Sequence, residues 1–392
     1  MVNERKAPEM RFDGFIEPWE TMKWAETVDM STNMVDPRKP EYQNLLHIGP
    51  GNIESYTGLL YDNIKTAKDE GLISGKFHFH VDDIIYGKIN PQLAKYTTAK
   101  FEGLASADAY VLNAKNGLVQ GFLYMILQRQ PFYDYTVSVS RRSGMPKINR
   151  DELNDFSFIA PSTTAEQNAI GNFFRNLDET IVLKKQQYEQ TVNIKKAMLE
   201  KMFPKKGADV PEIRFEGFSG AWGVKLLGDA TELYDNLRIP VAENLRKPGK
   251  TPYYGANGVQ GYIDGYTHDG EYVLVAEDGA SDLLNYPVIY VSGRIWANNH
   301  VHVLQGKAKE TNTLYLSYAL KTADFQAVLV GGTRAKLNAG AIKEMSIFIT
   351  SLEEQIIIGN FFNNLDTLIT AQREELKKLQ NIKKACLSKM FV

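Results

Sequence analysis

The sequence predicts an α+β fold: two globular domains separated by two long antiparallel helices of coiled-coil type, in a pseudo-twofold circular arrangement. Three observations carry this. A segment of thirty-eight residues occurs twice, from Glu166 and again from Glu354. A shorter repeat stands in circular order with it. The stretches between the repeats mix strand-like and helix-like runs. The boundaries that follow are a first domain over 1–160, a central helix over 161–206, a second domain over 207–350 and a C-terminal helix over 351–392.

The long repeat opens as EQNAIGNFFRNLDETI and EQIIIGNFFNNLDTLI and closes as NIKKAMLEKMF and NIKKACLSKMF. Twenty of the thirty-eight paired positions are identical. In the first copy Ile170, Phe173, Phe174, Leu177, Ile181, Tyr188, Ile194, Met198 and Met202 fall mostly in steps of three and four, the spacing of one helix face. Ile358, Phe361, Phe362, Leu365, Ile369, Leu376, Ile382, Cys386 and Met390 repeat the stripe. Neither copy contains proline, and Thr163 or Thr164 and Ser351 stand where a helix cap belongs. A helix of about 35 residues spans roughly 50 Å, too long for one compact domain to cover. Two matching stripes in one chain therefore suggest an antiparallel pair in which Ile170, Phe173, Leu177 and Ile181 lie against the matching stripe Ile358, Phe361, Leu365 and Ile369 and its continuation. The other arrangement packs each helix on its own domain.

The short repeat is PEMRFDGFIEPW at Pro8 and PEIRFEGFSGAW at Pro211. It follows the first helix but begins the chain, so the sequence reads as two equal units on a circle, with the ends of the chain close together.

Between the repeats, VDDIIYGKI, YVLVA and PVIYVSG are short apolar strands bounded by Gly, Asp and Asn, while GFLYMILQRQPF and LYLSYALKTADF are helical runs. ASADAYVL at Ala105 echoes ANNHVHVL at Ala297, and SGMPKIN at Ser143 echoes GTRAKLN at Gly332. The two domains are one fold with diverged surfaces.

Composition bounds the chemistry. The 392 residues suit two or three domains, and a formal charge of −2 announces no global positive field. The single cysteine, Cys386, excludes an internal disulfide and fits a reducing cytoplasm. No stretch is apolar enough for a membrane span, and the N-terminus lacks the apolar core of a signal peptide. The GxxxxGK[ST] loop, GxSxG, HExxH and paired CxxC are absent. Two HxH pairs, His78 with His80 and His300 with His302, could each present both rings on one strand face. They do not coincide in the repeat, because His300 aligns with Asp108, and they read as packing or hydrogen-bonding residues; no metal and no cofactor is expected. Asp82, Asp83, Glu277 and Asp278 read as solvated turns. The sequence gives no catalytic residue.

Basic residues do cluster. RRSGMPKINR contributes Arg141, Arg142, Lys147 and Arg150, and its counterpart holds Arg334 and Lys336 beside Asn338. Such loops can reach phosphates through Lys and Arg, and base edges through Arg or Asn. Lys195, Lys196, Lys201, Lys205 and Lys206, with Lys383, Lys384 and Lys389, read as solvent faces of the helices, along which a DNA backbone could lie.

Two divergent domains, each closed by an EQxxIGNFFxxLD helix ending in NIKKAxLxKMF, resemble the specificity subunit of type I restriction-modification enzymes over essentially the whole chain. GKINPQLAKYTTAKFEGLASADAYVL, which holds Lys95 and Lys100, is similar to segments common in the family's target recognition domains. So is YYGANGVQGYIDGY, which holds Tyr253, Tyr254 and Asn257. The resemblance implies that each domain reads one half of a split, asymmetric target in double-stranded DNA and that the helices set the spacing. It implies a non-catalytic subunit that docks two methyltransferase subunits, joined by two restriction and motor subunits for cleavage, with no membrane partner. Two alternatives stand beside it: an enzyme with an unfamiliar catalytic site, and a helical scaffold whose two domains bind proteins.

Overall fold

The computed structural model describes residues 7–141, 144–283, 285–329 and 336–392. The chain divides into two compact units, Met1–Leu183 with Leu376–Val392 and Lys184–Glu375. The divisions fall inside two helices of 38 residues each, Thr164–Lys201 and Leu352–Lys389. Among the described residues no helix is long and apolar enough to cross a membrane.

In the first unit, strand Trp19–Lys23 pairs antiparallel with Ser157–Pro161, so the chain enters and leaves the domain side by side. The domain holds two sheets. One is antiparallel, in the order Val28–Met30, Ala109–Ala114, Ile84–Gly87, Tyr96–Thr98. The other has five short strands, in the order Met34–Val35, Lys76–Phe79, Gly103–Ala105, Leu46–Ile48, Lys65–Thr66, with one parallel pair. Helices Gln120–Leu127 and Gln130–Val139 cover the first sheet, the second opening with Pro131, which suits a first helical turn because the N–H it lacks would have no partner there. Trp24 stacks on Phe132 at 5.4 Å, and Phe156 meets Phe132 at 5.2 Å.

The second unit repeats the frame. Strand Gly223–Leu226 pairs antiparallel with Ser346–Ile349. Its domain, however, builds one six-stranded sheet, in the order Thr231–Leu233, Val301–Gly306, His268–Ala276, Val288–Ala297, Thr251–Gly255, Gly258–Ile263. Helix Thr313–Lys321 packs on it, capped by the Asn312 side chain, which accepts from the Tyr315 N–H at 2.8 Å. The shared fold is thus the frame, while the sheets it carries differ.

The long helices explain the repeat residue by residue. Thr163 and Ser351 cap them through hydrogen bonds from the N–H groups of Glu166 and Glu354. The Glu-Gln pair that opens each copy is buried. Gln167 donates to the carbonyls of Gly117 and Pro161 and accepts from the Val119 N–H; Gln355 does the same with Glu310, Thr350 and Asn312. Each thereby pins a helix start to its domain. Arg11 and Arg214, from the short repeat, grip Glu166 and Glu354 in bidentate fashion, at 2.6 and 2.7 Å and at 2.7 and 2.7 Å. A Cβ on Gly171 would lie 3.0 Å from the backbone of Gly121, and one on Gly359 3.0 Å from the Tyr315 nitrogen. Only glycine lets the helix backbones approach this closely.

Within each unit the helix halves run antiparallel. In the first, Ile170 and Phe174 share a core with Cys386, Met390 and Phe391, and Asp178 pairs with Lys383 at 2.7 Å. In the second, Ile358 and Phe362 share a core with Met202 and Phe203, and Lys195 pairs with Asp366. The head of each repeat therefore meets the tail of the other, which corrects the expectation that Ile170 to Ile181 would lie against Ile358 to Ile369 and leaves only the continuation of that stripe as the partner. Burial works to raise the Asp178 carboxyl above its ordinary value while Lys383 pulls it down, and burial prevails. Lys195 and Lys383 are interhelical partners, which corrects the expectation that both are solvent-facing.

The apolar stripe needs a second correction. Phe174 and Phe362 are fully buried, while Phe173 and Phe361 are half-buried and meet Phe12 and Phe215 edge-on at 5.7 and 5.6 Å. Leu177, Ile181, Leu365 and Ile369 are half-buried, and Ile194 and Ile382 are exposed. Near the head of each helix the domain and the partner wrap it together, so adjacent positions such as Phe173 and Phe174 both find cover; toward the tail, at Ile194 and Ile382, the covered arc is narrower.

The circular order is closed by equivalent backbone hydrogen bonds, Met10 N–H to the Lys389 carbonyl and Ile213 N–H to the Lys201 carbonyl, each 2.9 Å. The first joins the beginning of the described chain to its end. Arg129 reinforces it, donating to the Val392 carbonyl at 2.8 Å and lying over the Phe391 ring.

Candidate nucleic-acid interface

Each unit holds the Lys-Ile-Asn or Lys-Leu-Asn loop against a sheet by the same construction. In the first unit Ile148 is buried, its N–H donates to the Lys88 carbonyl at 3.0 Å, and its carbonyl accepts from the Tyr110 hydroxyl at 3.2 Å. In the second unit Leu337 is buried, its N–H donates to the Glu277 carbonyl at 2.7 Å, and its carbonyl accepts from His302 Nε2 at 2.8 Å. A buried apolar residue flanked by two backbone hydrogen bonds fixes the loop, so that Lys147, Lys336 and Asn338 are presented from a rigid base, while the Asn149 side chain is taken up in capping helix Arg150–Asn154, accepting from the Glu152 N–H at 2.9 Å.

Charge at this place differs between the units. Lys88 and Arg150 lie over the Tyr110 ring, at 5.6 and 5.4 Å. Burial first, and then the positive neighbours Lys147 and Arg150, push the Lys88 ammonium below its ordinary value, against the pull of Asp108. At the matching position the second unit has Glu277, which accepts from Arg238 at 2.7 Å and pairs with Lys336 at 3.0 Å. Burial works to raise the Glu277 carboxyl, but hydrogen bonds from Arg238 and Lys336 outweigh it and hold it below its ordinary value. The first cluster is a concentration of like charge suited to an anion; the second is largely neutralised from within. Glu277 is an ion-paired group rather than a solvated turn residue, and Asp278 pairs with His300 at 2.5 Å.

The residues expected to face DNA separate into three sets. Lys100, Arg141 and Lys147 are exposed, as is Lys336 although it pairs with Glu277, and as is Asn338, which precedes helix Ala339–Glu344 without capping it by its side chain. Others are held by the protein. Tyr253 is buried, its hydroxyl donating to the Val241 carbonyl and accepting from the Val241 N–H, with Arg246 stacked 3.9 Å from its ring. Tyr253 is therefore a core residue, which corrects the expectation. Tyr254 is half-buried, Lys95 donates to the Ile53 carbonyl at 2.5 Å, and Asn257 donates to the Gly279 carbonyl and accepts from the Ser281 N–H. Arg150, too, is spent on the carbonyls of Met30 and Ser31, at 2.6 Å each. Arg142 and Arg334 lie outside the described residues. Lys88 was missed from sequence, since a lone lysine after a strand carries no signal until the loop folds back on it.

Two stretches of the chain, residues 17–193 and 220–381, match the sequence pattern of the type I restriction modification DNA specificity domain. The chain belongs to this family. It carries the specificity domain twice, and each matched stretch runs from the entering strand of a unit into a long helix. A Haemophilus influenzae protein named as a type I restriction enzyme specificity subunit is 42% identical over 153 residues, which cover 39% of this chain and 39% of that protein. The Escherichia coli EcoDI specificity subunit is 33% identical over 143 residues, 36% of this chain and 31% of that one. These matched stretches span less than two fifths of the relatives' lengths. The crystal structure of a specificity subunit from M. genitalium matches in fold over 98% of this chain and 99% of its own, with a TM-score of 0.73 at 16% identity.

Proposed function

We propose that this chain is the DNA-reading subunit of a type I restriction-modification complex, in which each specificity domain recognises one half of a split, asymmetric target. The observation that carries the reading is the double construction: one frame, built twice, presents two anchored loops whose charge differs at equivalent positions, Lys88 in one unit and Glu277 in the other. Two readers with unlike surfaces suit two unlike half-sites. Lys88, Lys100, Arg141 and Lys147 are the first unit's phosphate contacts in this reading, and Lys336 and Asn338 are the second unit's polar contacts. Arg142 and Arg334 belong to the same loops by sequence.

The chemistry belongs to partners. Two methyltransferase subunits dock on the equivalent helical elements and two restriction and motor subunits complete the cleaving assembly, in the cytoplasm. A near-neutral chain suits such an assembly, because the partners supply much of the phosphate contact. The test is to express the chain with its methyltransferase partner and map methylated sites across the host DNA. A single bipartite asymmetric motif is expected; methylation without a motif, or none with both proteins folded and associated, would refute the reading.

A further inference from the structure

His78 closes strand Lys76–Phe79 with its neighbour, and His80 follows it by two, so strand alternation puts both rings on one face. The adjacent antiparallel strand sets Phe79 opposite Gly103, and the same register carries Glu102 opposite His80. The fold thus supplies a third donor that the HxH pair alone does not have. The two rings are 4.7 Å apart; His78 Nε2 lies 2.8 Å and His80 Nδ1 3.7 Å from one Glu102 oxygen. One ligand atom from each residue lies within 4.8 Å of the others. The His78 ring is seated against Tyr42, at 5.5 Å, while His80 and Glu102 are exposed and open to an ion from solvent.

We propose that His78, His80 and Glu102 form a surface site for a divalent transition metal of the zinc class. Two imidazole nitrogens and one carboxylate oxygen are a donor set that zinc accepts, leaving a fourth position for water or an exchangeable anion. Tetrahedral coordination needs ligand atoms about 3.3 Å apart, an approach that the two exposed side chains reach by rotation. A second constellation of equal size, Asp235, Glu277 and His302, shows what a filled site looks like. There Arg238 and Lys336 occupy the carboxylates, and His302 already binds Asp235 at 2.6 Å and the Leu337 carbonyl at 2.8 Å. Among the described residues Glu102 is ion-paired only with the two histidines, so an ion has no lysine or arginine to displace.

The site stands independently of the DNA-reading proposal. Zinc is titrated into the chelator-treated full chain at pH about 7.5, where neutral imidazoles can ligate, and heat of binding and thermal unfolding are followed. One equivalent is expected to bind and to raise the unfolding temperature. His80→Ala and Glu102→Gln, both at exposed positions, are each expected to weaken binding at least about tenfold, and His300→Ala to leave it unchanged. Lowering the pH to about 5.5 is expected to release the ion. Absence of binding in the high micromolar range, or binding that survives both His80→Ala and Glu102→Gln, would overturn the assignment.

Discussion

Arg11 and Glu166 show how one residue can hold a repeat in place. Glu166 is almost wholly buried, and three donors converge on its carboxylate: Arg11 Nε, Arg11 Nη2 and, at 3.2 Å, the Trp19 indole N–H. Arg214 and Glu354 repeat the pair, with Thr350 as the extra donor. A buried carboxylate is tolerable only while its partners are present, so removing one partner costs more than the pair itself contributes. Arg11→Ala should therefore destabilise the first unit by about 3–5 kcal/mol. Adding Glu166→Gln to that variant should recover part of the loss, since the orphaned charge is gone. Denaturant unfolding of the single and double variants checks this; a double variant less stable than Arg11→Ala would show that Glu166 does not depend on its arginine.

At the scale of the element, the long helices are fixed by interactions that occur in equivalent pairs. Asp178 with Lys383 and Asp366 with Lys195 join the repeat's Leu-Asp to the other repeat's Asn-Ile-Lys-Lys, once in each unit. An insertion in one helix alone would break whichever pairing it falls within. The place that spares both is the division between the units, after Leu183 in one helix and after Glu375 in the other. Four residues added at each point lengthen each helix by roughly 6 Å and nearly complete a turn, so the buried face keeps its phase. If the helices set the spacing of the half-sites, the preferred gap should grow by one or two base pairs, at about 3.4 Å each, with the half-site sequences unaltered. Methylation mapping of this variant decides it: an unchanged gap in an active complex assigns the spacing to something else. Two-residue insertions should instead turn the apolar face away and abolish assembly.

For the whole molecule, if each domain reads one half-site, the frame predicts that the two readers are interchangeable. The strands that enter and leave each domain pair with each other, Trp19–Lys23 with Ser157–Pro161 and Gly223–Leu226 with Ser346–Ile349. Everything between them is therefore bounded by a closed neck, and its sheets can differ as long as the segment keeps the Gly117, Val119 and Gly121 backbone contacts that seat the helix. Exchanging residues 20–160 for the matching segment of a relative should change one half of the DNA target and leave the other half intact. The exchanged segment brings its own loop and basic residues, while Trp19 and Glu166 remain in place. Mapping the motif methylated by the chimaera tests this, and alteration of both halves would argue against independent reading.

The two helices, their antiparallel sense and the circular order were legible in the sequence because a repeat constrains itself: the same apolar period, the same caps and the same Arg-Phe segment appear twice, and each copy must solve the same burial problem. Which of two adjacent phenylalanines fills the core was not legible, since Phe173 and Phe174 both fit the period and only the surrounding domain decides. The loops were legible as basic and turn-like. Their anchoring was not, because Lys88 reaches Ile148, and His302 reaches Leu337, across dozens of residues of chain. Burial of Tyr253 and the meeting of Glu102 with His78 and His80 belong to the same class. Sequence by itself determined the family, the helices and the two-domain plan, since these rest on local period and on likeness between segments. Tertiary structure alone decided which side chains face inward, which charges are already paired and which donors converge, because those depend on sheet register between distant segments.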